Sequence, residues 1–222
     1  MADMLKLKAE DGHEFGAYLA QPSGKPKGGI VVIQEIFGVN SHIRAIADGY
    51  AKDGYLAIAP ALFDRIQPGI ELGYDEDDVT KGRELKGQSS NDAALLDIKA
   101  SADAVRSAGQ VVAVGYCWGG ALAWLTATRI ENIAAVGSYY GGGIGGFASE
   151  QPKCPVILHF GEQDHAIPMD EVQKVKDAHP ELPVHIYPAG HGFNCDQRGS
   201  SEPTSAKIAR ERTLEFFADA IG

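Results

Sequence analysis

Short runs of consecutive apolar residues alternate along the chain with longer segments whose apolar positions recur every three or four residues. The runs at 29–34, 55–59, 111–114, 133–139, 156–160 and 184–187 read as strands buried on both faces. Helical spacing covers 41–53, 91–107, 119–128, 169–178 and 204–220. Strands and helices in alternation predict an α/β fold with a mostly parallel, doubly wound sheet flanked by helices and no large lid domain. Residues 5–19, broken by Asp11-Gly12, predict an N-terminal hairpin. The last helix sets Ile208, Thr213, Leu214, Phe217 and Ile221 along one side, as an amphipathic closing helix would.

Two segments interrupt the alternation. Residues 67–90 are polar and acidic, with Asp75, Glu76, Asp77 and Asp78 in a row. They predict a surface excursion with a short helix whose N-terminus favours the negative charges. Residues 137–146 hold six glycines in ten, but no Gly-Lys-Ser/Thr follows, so a phosphate cradle is not indicated and a flexible loop at a strand end is expected. No repeat or linker divides the chain, and a single α/β domain spanning 1–222 is expected.

Composition narrows the field of functions. Of 222 residues, 44% are hydrophobic, and 20 basic against 30 acidic residues give a formal charge of −10. An acidic chain is a poor general binder of nucleic acid or anionic membranes, which demand a positive surface. Cys117, Cys154 and Cys195 form neither a disulfide framework nor a CxxC pair, which suits a reducing compartment. The N-terminus lacks an uninterrupted apolar h-region. The longest apolar stretches run about eight residues, far short of the roughly 20 a membrane helix needs. A cytoplasmic protein is expected.

The strongest chemical signal is Val111-Val112-Ala113-Val114-Gly115-Tyr116-Cys117-Trp118-Gly119-Gly120. An apolar strand enters a Gly-x-Cys-x-Gly turn and leaves into an alanine-rich helix, the pattern of a nucleophile elbow with cysteine in place of serine. At 115 and 119 a side chain is expected to collide with neighbouring backbone. The helix N-terminus beyond Cys117 favours a thiolate.

In an elbow fold the acid and the base follow the nucleophile in that order. Strand 156–160 runs into Gly161-Glu162-Gln163-Asp164, and strand 184–187 precedes Gly190-His191-Gly192. Both turns lie at carboxyl ends of strands, where open α/β sheets place their sites. His191 is the candidate base. Asp164 is the candidate orienting acid, with Glu162 as its rival. His159 and His185 fall inside strand patterns, and His13, His42, His165 and His179 have no matching setting. Earlier in the chain, Gln34-Glu35-Ile36-Phe37-Gly38 puts a carboxylate directly after an apolar strand, where burial requires a partner. The functional reading brings Glu35 to the nucleophile and assigns the Ile36 and Trp118 amides as oxyanion donors.

The motifs 34–40, 115–120, 161–164 and 190–193, from the 11–16 hairpin to 211–217, resemble the dienelactone hydrolase (carboxymethylenebutenolidase) family of α/β-hydrolases. The resemblance implies a Cys117–His191–Asp164 triad with Glu35 as a fourth member, which pairs with the resting thiol until substrate moves it. It implies hydrolysis of a small lactone or carboxylic ester through an acyl-enzyme, without metal or organic cofactor. The cysteine and histidine spacing also fits no zinc pattern. Family members hold a substrate carboxylate with two arginines. Here Cys195 stands where one is expected and Arg198 is the nearest, while Lys81 and Arg83 both answer to the other. Phe37 and Tyr140 are candidate pocket residues, and Tyr139 matches the same family Tyr-Tyr-Gly. The partner implied is a small molecule, with the protein a monomer or small homo-oligomer. Two other classes compete: a catalytically silent ligand-binding or sensor protein, against which the intact residue set argues, and a thiol redox enzyme, for which no spacing supplies a resolving cysteine. A serine-type esterase is excluded by the cysteine itself.

Overall fold

A computed structural model describes residues 2–222. The chain forms two compact units, Met1–Ala113 and Val114–Gly222. In the first unit, β1 (Ala2–Lys8) and β2 (Glu14–Ala20) form the expected hairpin, with Lys8 opposite Glu14. β2 also pairs antiparallel with β4 (Tyr55–Pro60), and β4 pairs parallel with β3 (Gly28–Ile33). The spatial order here is β1-β2-β4-β3. Every residue of β3 is buried, which is why its apolar run shows no alternation. Helix α1 (Ser41–Lys52) starts at Asn40, whose side chain accepts the Ile43 N–H, and α3 (Asn91–Val105) starts at Ser90 in the same manner.

The excursion at 67–90 carries more helix than expected. Helix α2 spans Glu76–Gln88, and the acidic run begins it: Asp75 is the N-cap and accepts the Asp78 N–H at 2.8 Å, while Glu76, Asp77 and Asp78 fill the first turn. Unpaired amides and the helix dipole favour carboxylates there. Behind the sheet, Arg65 bonds both oxygens of the fully buried Asp97 on α3, at 2.8 and 2.7 Å, and reaches Asp11 of the hairpin at 2.7 Å.

The boundary between the units falls inside β5 (Val111–Tyr116). The second unit continues with α4 (Trp118–Arg129), β6 (Val136–Tyr139), β7 (Val156–Gly161), α5 (Met169–Ala178), β8 (Val184–Tyr187) and α6 (Pro203–Ile221), with strand order β5-β6-β7-β8. β6, β7 and β8 are parallel, with Tyr139 opposite His159 and Gly161 opposite Tyr187. Residues 118–128 of α4 are all buried, so this helix has no amphipathic stripe to display.

Two expectations need correction here. The strand expected from 133 begins at Val136, because Asn132 takes a left-handed φ of 61° and turns the chain before pairing starts. Helix α6 buries Thr213 and Phe217 of the predicted stripe, but Ser205 and Ala209 complete the buried face, Leu214 and Ile221 are half-buried, and Ile208 is exposed. Small residues bring the helix close, and Thr213 is drawn inward by hydrogen bonds. At the end of the glycine-rich segment a 3-10 turn forms at Ile144–Phe147, Trp124 Nε1 donates to the Phe147 carbonyl at 3.2 Å, and His179 Nε2 donates to the Ala148 carbonyl at 2.7 Å. No helix among the described residues is long and apolar enough to cross a membrane.

Candidate active site

At the end of β5 the chain turns sharply, and Cys117 sits in the bend with φ 56° and ψ −116° as the N-cap of α4. A non-glycine residue is held there only where its surroundings over-determine it. They do so here: the Cys117 N–H donates to the Tyr139 carbonyl at 3.0 Å, and its carbonyl accepts from Gly120 at 2.9 Å. The turn tolerates no bulk. A Cβ at 115 would lie 1.9 Å from the Gly119 carbonyl oxygen, and one at 120 would lie 2.5 Å from the Tyr139 carbonyl oxygen. The expected collision at 115 is present; that at 120 is a requirement the motif pattern did not single out. Trp118 is the first residue of α4, where the backbone N–H has no acceptor within the helix.

β7 leads into the turn that carries Asp164, which is buried, whereas its rival Glu162 is exposed. The two oxygens of Asp164 divide the work. Oδ1 accepts the Ala166 and Ile167 N–H groups at 2.8 and 3.2 Å, and Oδ2 accepts from His191 Nδ1 at 2.7 Å. The carboxylate can only accept, so the Nδ1 proton is fixed toward it and Nε2 is turned to the sulfur. Nε2 and Cys117 Sγ are 3.1 Å apart. Burial opposes charge on the imidazole, but the hydrogen bonds from Asp164 and Cys117 outweigh it and raise its pKa from 6.5 to about 10. Three side chains from separate turns thus form one hydrogen-bonded line, with the sulfur at its half-buried end.

The ring of His191 rests edge-on against Tyr140, with centroids 5.2 Å apart, and Phe193 backs Tyr140 at 5.3 Å. Tyr140 is itself fully buried with a positive φ of 37°. Gly192, with φ 76°, leaves room for Arg198 to fold back beside His191: a Cβ at 192 would stand 2.5 Å from the guanidinium Nη1. Cys195 is fully buried in the same turn and donates its N–H to the Gly192 carbonyl.

The other expected site residues belong to the first unit. Glu35 follows β3 and is fully buried. Tyr74 O–H donates to its Oε2 at 3.4 Å and accepts from Asn40 Nδ2 at 3.1 Å. The Gln34 side chain braces the same segment, donating to the Glu35 carbonyl and accepting the Leu62 N–H. Ile36 and Phe37 are buried, and Phe37 meets Tyr74 edge-on at 4.6 Å. On α2, Lys81 is half-buried and Arg83 is exposed. Tyr74 escaped the sequence reading, since a lone tyrosine in a polar excursion carries no pattern.

The model of the dienelactone hydrolase family matches residues 15–221. A carboxymethylenebutenolidase of Pseudomonas putida is 36% identical over 98% of this chain and 97% of its own. A crystal structure from Klebsiella pneumoniae, provisionally named a dienelactone hydrolase, superposes with a TM-score of 0.87 at 30% identity, covering 98% of both chains. A Pyrococcus furiosus esterase shares the fold at a TM-score of 0.71 and 14% identity, over all of this chain and 93% of its own.

Proposed function

The chain belongs to the dienelactone hydrolase family, and from that premise we propose that it hydrolyses a small lactone or carboxylic ester through a cysteine acyl-enzyme. The observation that carries the reading is the unbroken line Asp164 Oδ2–His191–Cys117 Sγ, with contacts of 2.7 and 3.1 Å. Cys117 is the nucleophile, His191 the proton carrier and Asp164 its orienting acid.

The chemistry follows from that line. Cys117 gives its proton to His191 Nε2, and the sulfur attacks the carbonyl carbon to form a tetrahedral oxyanion. The carbon–oxygen bond to the leaving group then breaks, and the leaving oxygen takes the proton from Nε2. In a lactone it stays tethered to the acyl group. Water, deprotonated by the same nitrogen, attacks the thioester; the carbon–sulfur bond breaks to free the acid, its electron pair stays on sulfur, and Nε2 returns the proton to Cys117. The reading assigns the Ile36 and Trp118 amides to the oxyanion. On the family resemblance, Glu35 governs the resting thiol.

Substrate contacts are assigned to Phe37, Tyr140 and the cations. Arg198, folded beside His191, replaces the arginine that Cys195 displaces. Of the two candidates on α2, half-burial favours Lys81 over Arg83. The reading treats residues 1–222 as one functional domain in a cytoplasmic monomer or small homo-oligomer. A panel of lactones with neutral and carboxylate-bearing esters tests it. Wild type is expected to hydrolyse members of the panel, and Cys117→Ala none. Preference for carboxylate-bearing members is expected to fall in Arg198→Gln. Hydrolysis persisting in Cys117→Ala would overturn the assignment.

A further inference from the structure

Behind the elbow lies a buried polar chain that the reaction scheme does not use. His159, fully buried in the middle of an otherwise apolar strand, has both ring nitrogens engaged: Nδ1 with Tyr187 Oη at 2.9 Å and Nε2 with Thr213 Oγ1 at 2.9 Å. Thr213 Oγ1 also lies 2.7 Å from Tyr139 Oη and donates to the Ala209 carbonyl at 2.9 Å. Arg212 Nη1 donates to Tyr187 Oη at 3.2 Å.

Counting donors fixes every proton in this chain. A hydroxyl has one hydrogen. Thr213 gives its own to the Ala209 carbonyl, so it accepts from Tyr139 O–H and from His159 Nε2–H. His159 therefore carries its proton on Nε2 and accepts at Nδ1 from Tyr187 O–H, which in turn accepts from Arg212. The order is complete only with a neutral imidazole. Burial, together with the neighbouring His185 and Arg212 charges, pushes its pKa well below the ordinary range.

The chain ends at the residues that hold the site. The Tyr139 carbonyl receives the Cys117 N–H at 3.0 Å, and the His159 carbonyl receives the Tyr140 N–H at 2.7 Å. Tyr140 is the strained residue against His191. Side-chain hydrogen bonds from α6 thus fix β6 at the point where it supports both the nucleophile and the ring of the base. We propose that His159 and Thr213 are positioning residues, which hold the Cys117–His191 geometry through Tyr139 and Tyr140. Satisfied buried networks rigidify what they join, and small displacements of reacting groups are expensive in rate.

The inference rests on Cys117 as the acylating nucleophile, and the test separates the two. Acylation by an activated ester is followed in wild type, Thr213→Val, Thr213→Ser and Tyr139→Phe, with KM and thermal midpoint recorded for each. Thr213→Val keeps the shape and removes the hydroxyl. It is expected to slow acylation by about tenfold or more, with KM changed by less than about twofold, since the loss is one of orientation. Thr213→Ser, which keeps the hydroxyl, is expected to restore most of the rate. Tyr139→Phe is expected to slow acylation in the same direction and decides the matter if Thr213→Val does not fold. Wild-type acylation rates in the folded Val variant, or in Phe where Val is unfolded, would overturn the proposal, as would equal losses in Val and Ser. Absence of acylation in wild type would instead remove the nucleophile assignment, and this inference with it.

Discussion

Cys117 combines a left-handed backbone, a helix N-terminus and an imidazole at 3.1 Å, and each favours a reactive sulfur for a separate physical reason. The charge balance of its partner gives a testable dependence on pH. The folded pKa of His191 is raised from 6.5 to about 10, so the folded state binds its proton more tightly than the unfolded chain. That stabilisation is fully present below pH 6.5 and is lost as the pH rises through about 10. Melting curves across this range are expected to show wild type losing more stability than Asp164→Asn, which lacks the charged partner. The alkaline limb of the rate profile is expected to move to lower pH in the same variant. Parallel melting curves, or an unmoved limb, would contradict the coupling. At this scale the sequence was most legible where backbone context frames a side chain: glycines and strand ends mark Cys117, Asp164 and His191. Asp164 was preferred to its rival Glu162 on position alone, and burial of only Asp164 supports that choice. His159 and Tyr74 act through partners distant in the chain, and no local pattern announces them.

The elbow as an element depends on close backbone approach as much as on its nucleophile. At Gly120 a Cβ would stand 2.5 Å from the same Tyr139 carbonyl oxygen that holds the Cys117 N–H. Gly120→Ala must therefore push β6 and α4 apart at the point that positions the sulfur. It is expected to destabilise the protein by about 1–3 kcal/mol, as overpacking does, and to abolish hydrolysis in the molecules that remain folded. Denaturant unfolding beside an ester assay checks both, and retention of full activity would show that the elbow is not built this tightly. Element boundaries were readable where the apolar period is clean, as for α5 and β8. They failed where tertiary contacts outrank the pattern. α6 holds Thr213 against Tyr139 and His159, buries Ser205 and Ala209 and leaves Ile208 exposed, a choice of face that hydrophobicity along the helix cannot reveal. The acidic run before α2 signalled a helix start correctly, but a weakly apolar helix gives little sign of its length.

Across the whole molecule, the alternation of apolar runs and helical segments was enough to predict an α/β fold with a mostly parallel sheet; the elbow motif and the family resemblance narrowed it to the α/β-hydrolases, and similarity extending over 98% of this chain agrees. What the pattern could not convey is how each unit is held together. The Arg65–Asp97–Asp11 cluster in the first unit and the polar chain around His159 in the second join residues far apart in sequence. Under the proposed function, substrate choice belongs to this scale too, through the cations assigned to the pocket. Arg198 is folded against Gly192, which is what the proposed function uses to let it stand in for the arginine that the family resemblance expects at Cys195. If hydrolysis passes through an acyl group on one sulfur, rapid mixing with p-nitrophenyl acetate followed by mass analysis of the quenched protein will trap it. A burst of nitrophenolate close to one per active site is expected, with a single acetyl group on the peptide containing Cys117, both absent in Cys117→Ala. A burst that survives in that variant, or an acetyl group carried by another residue, would contradict an acyl-enzyme on that sulfur.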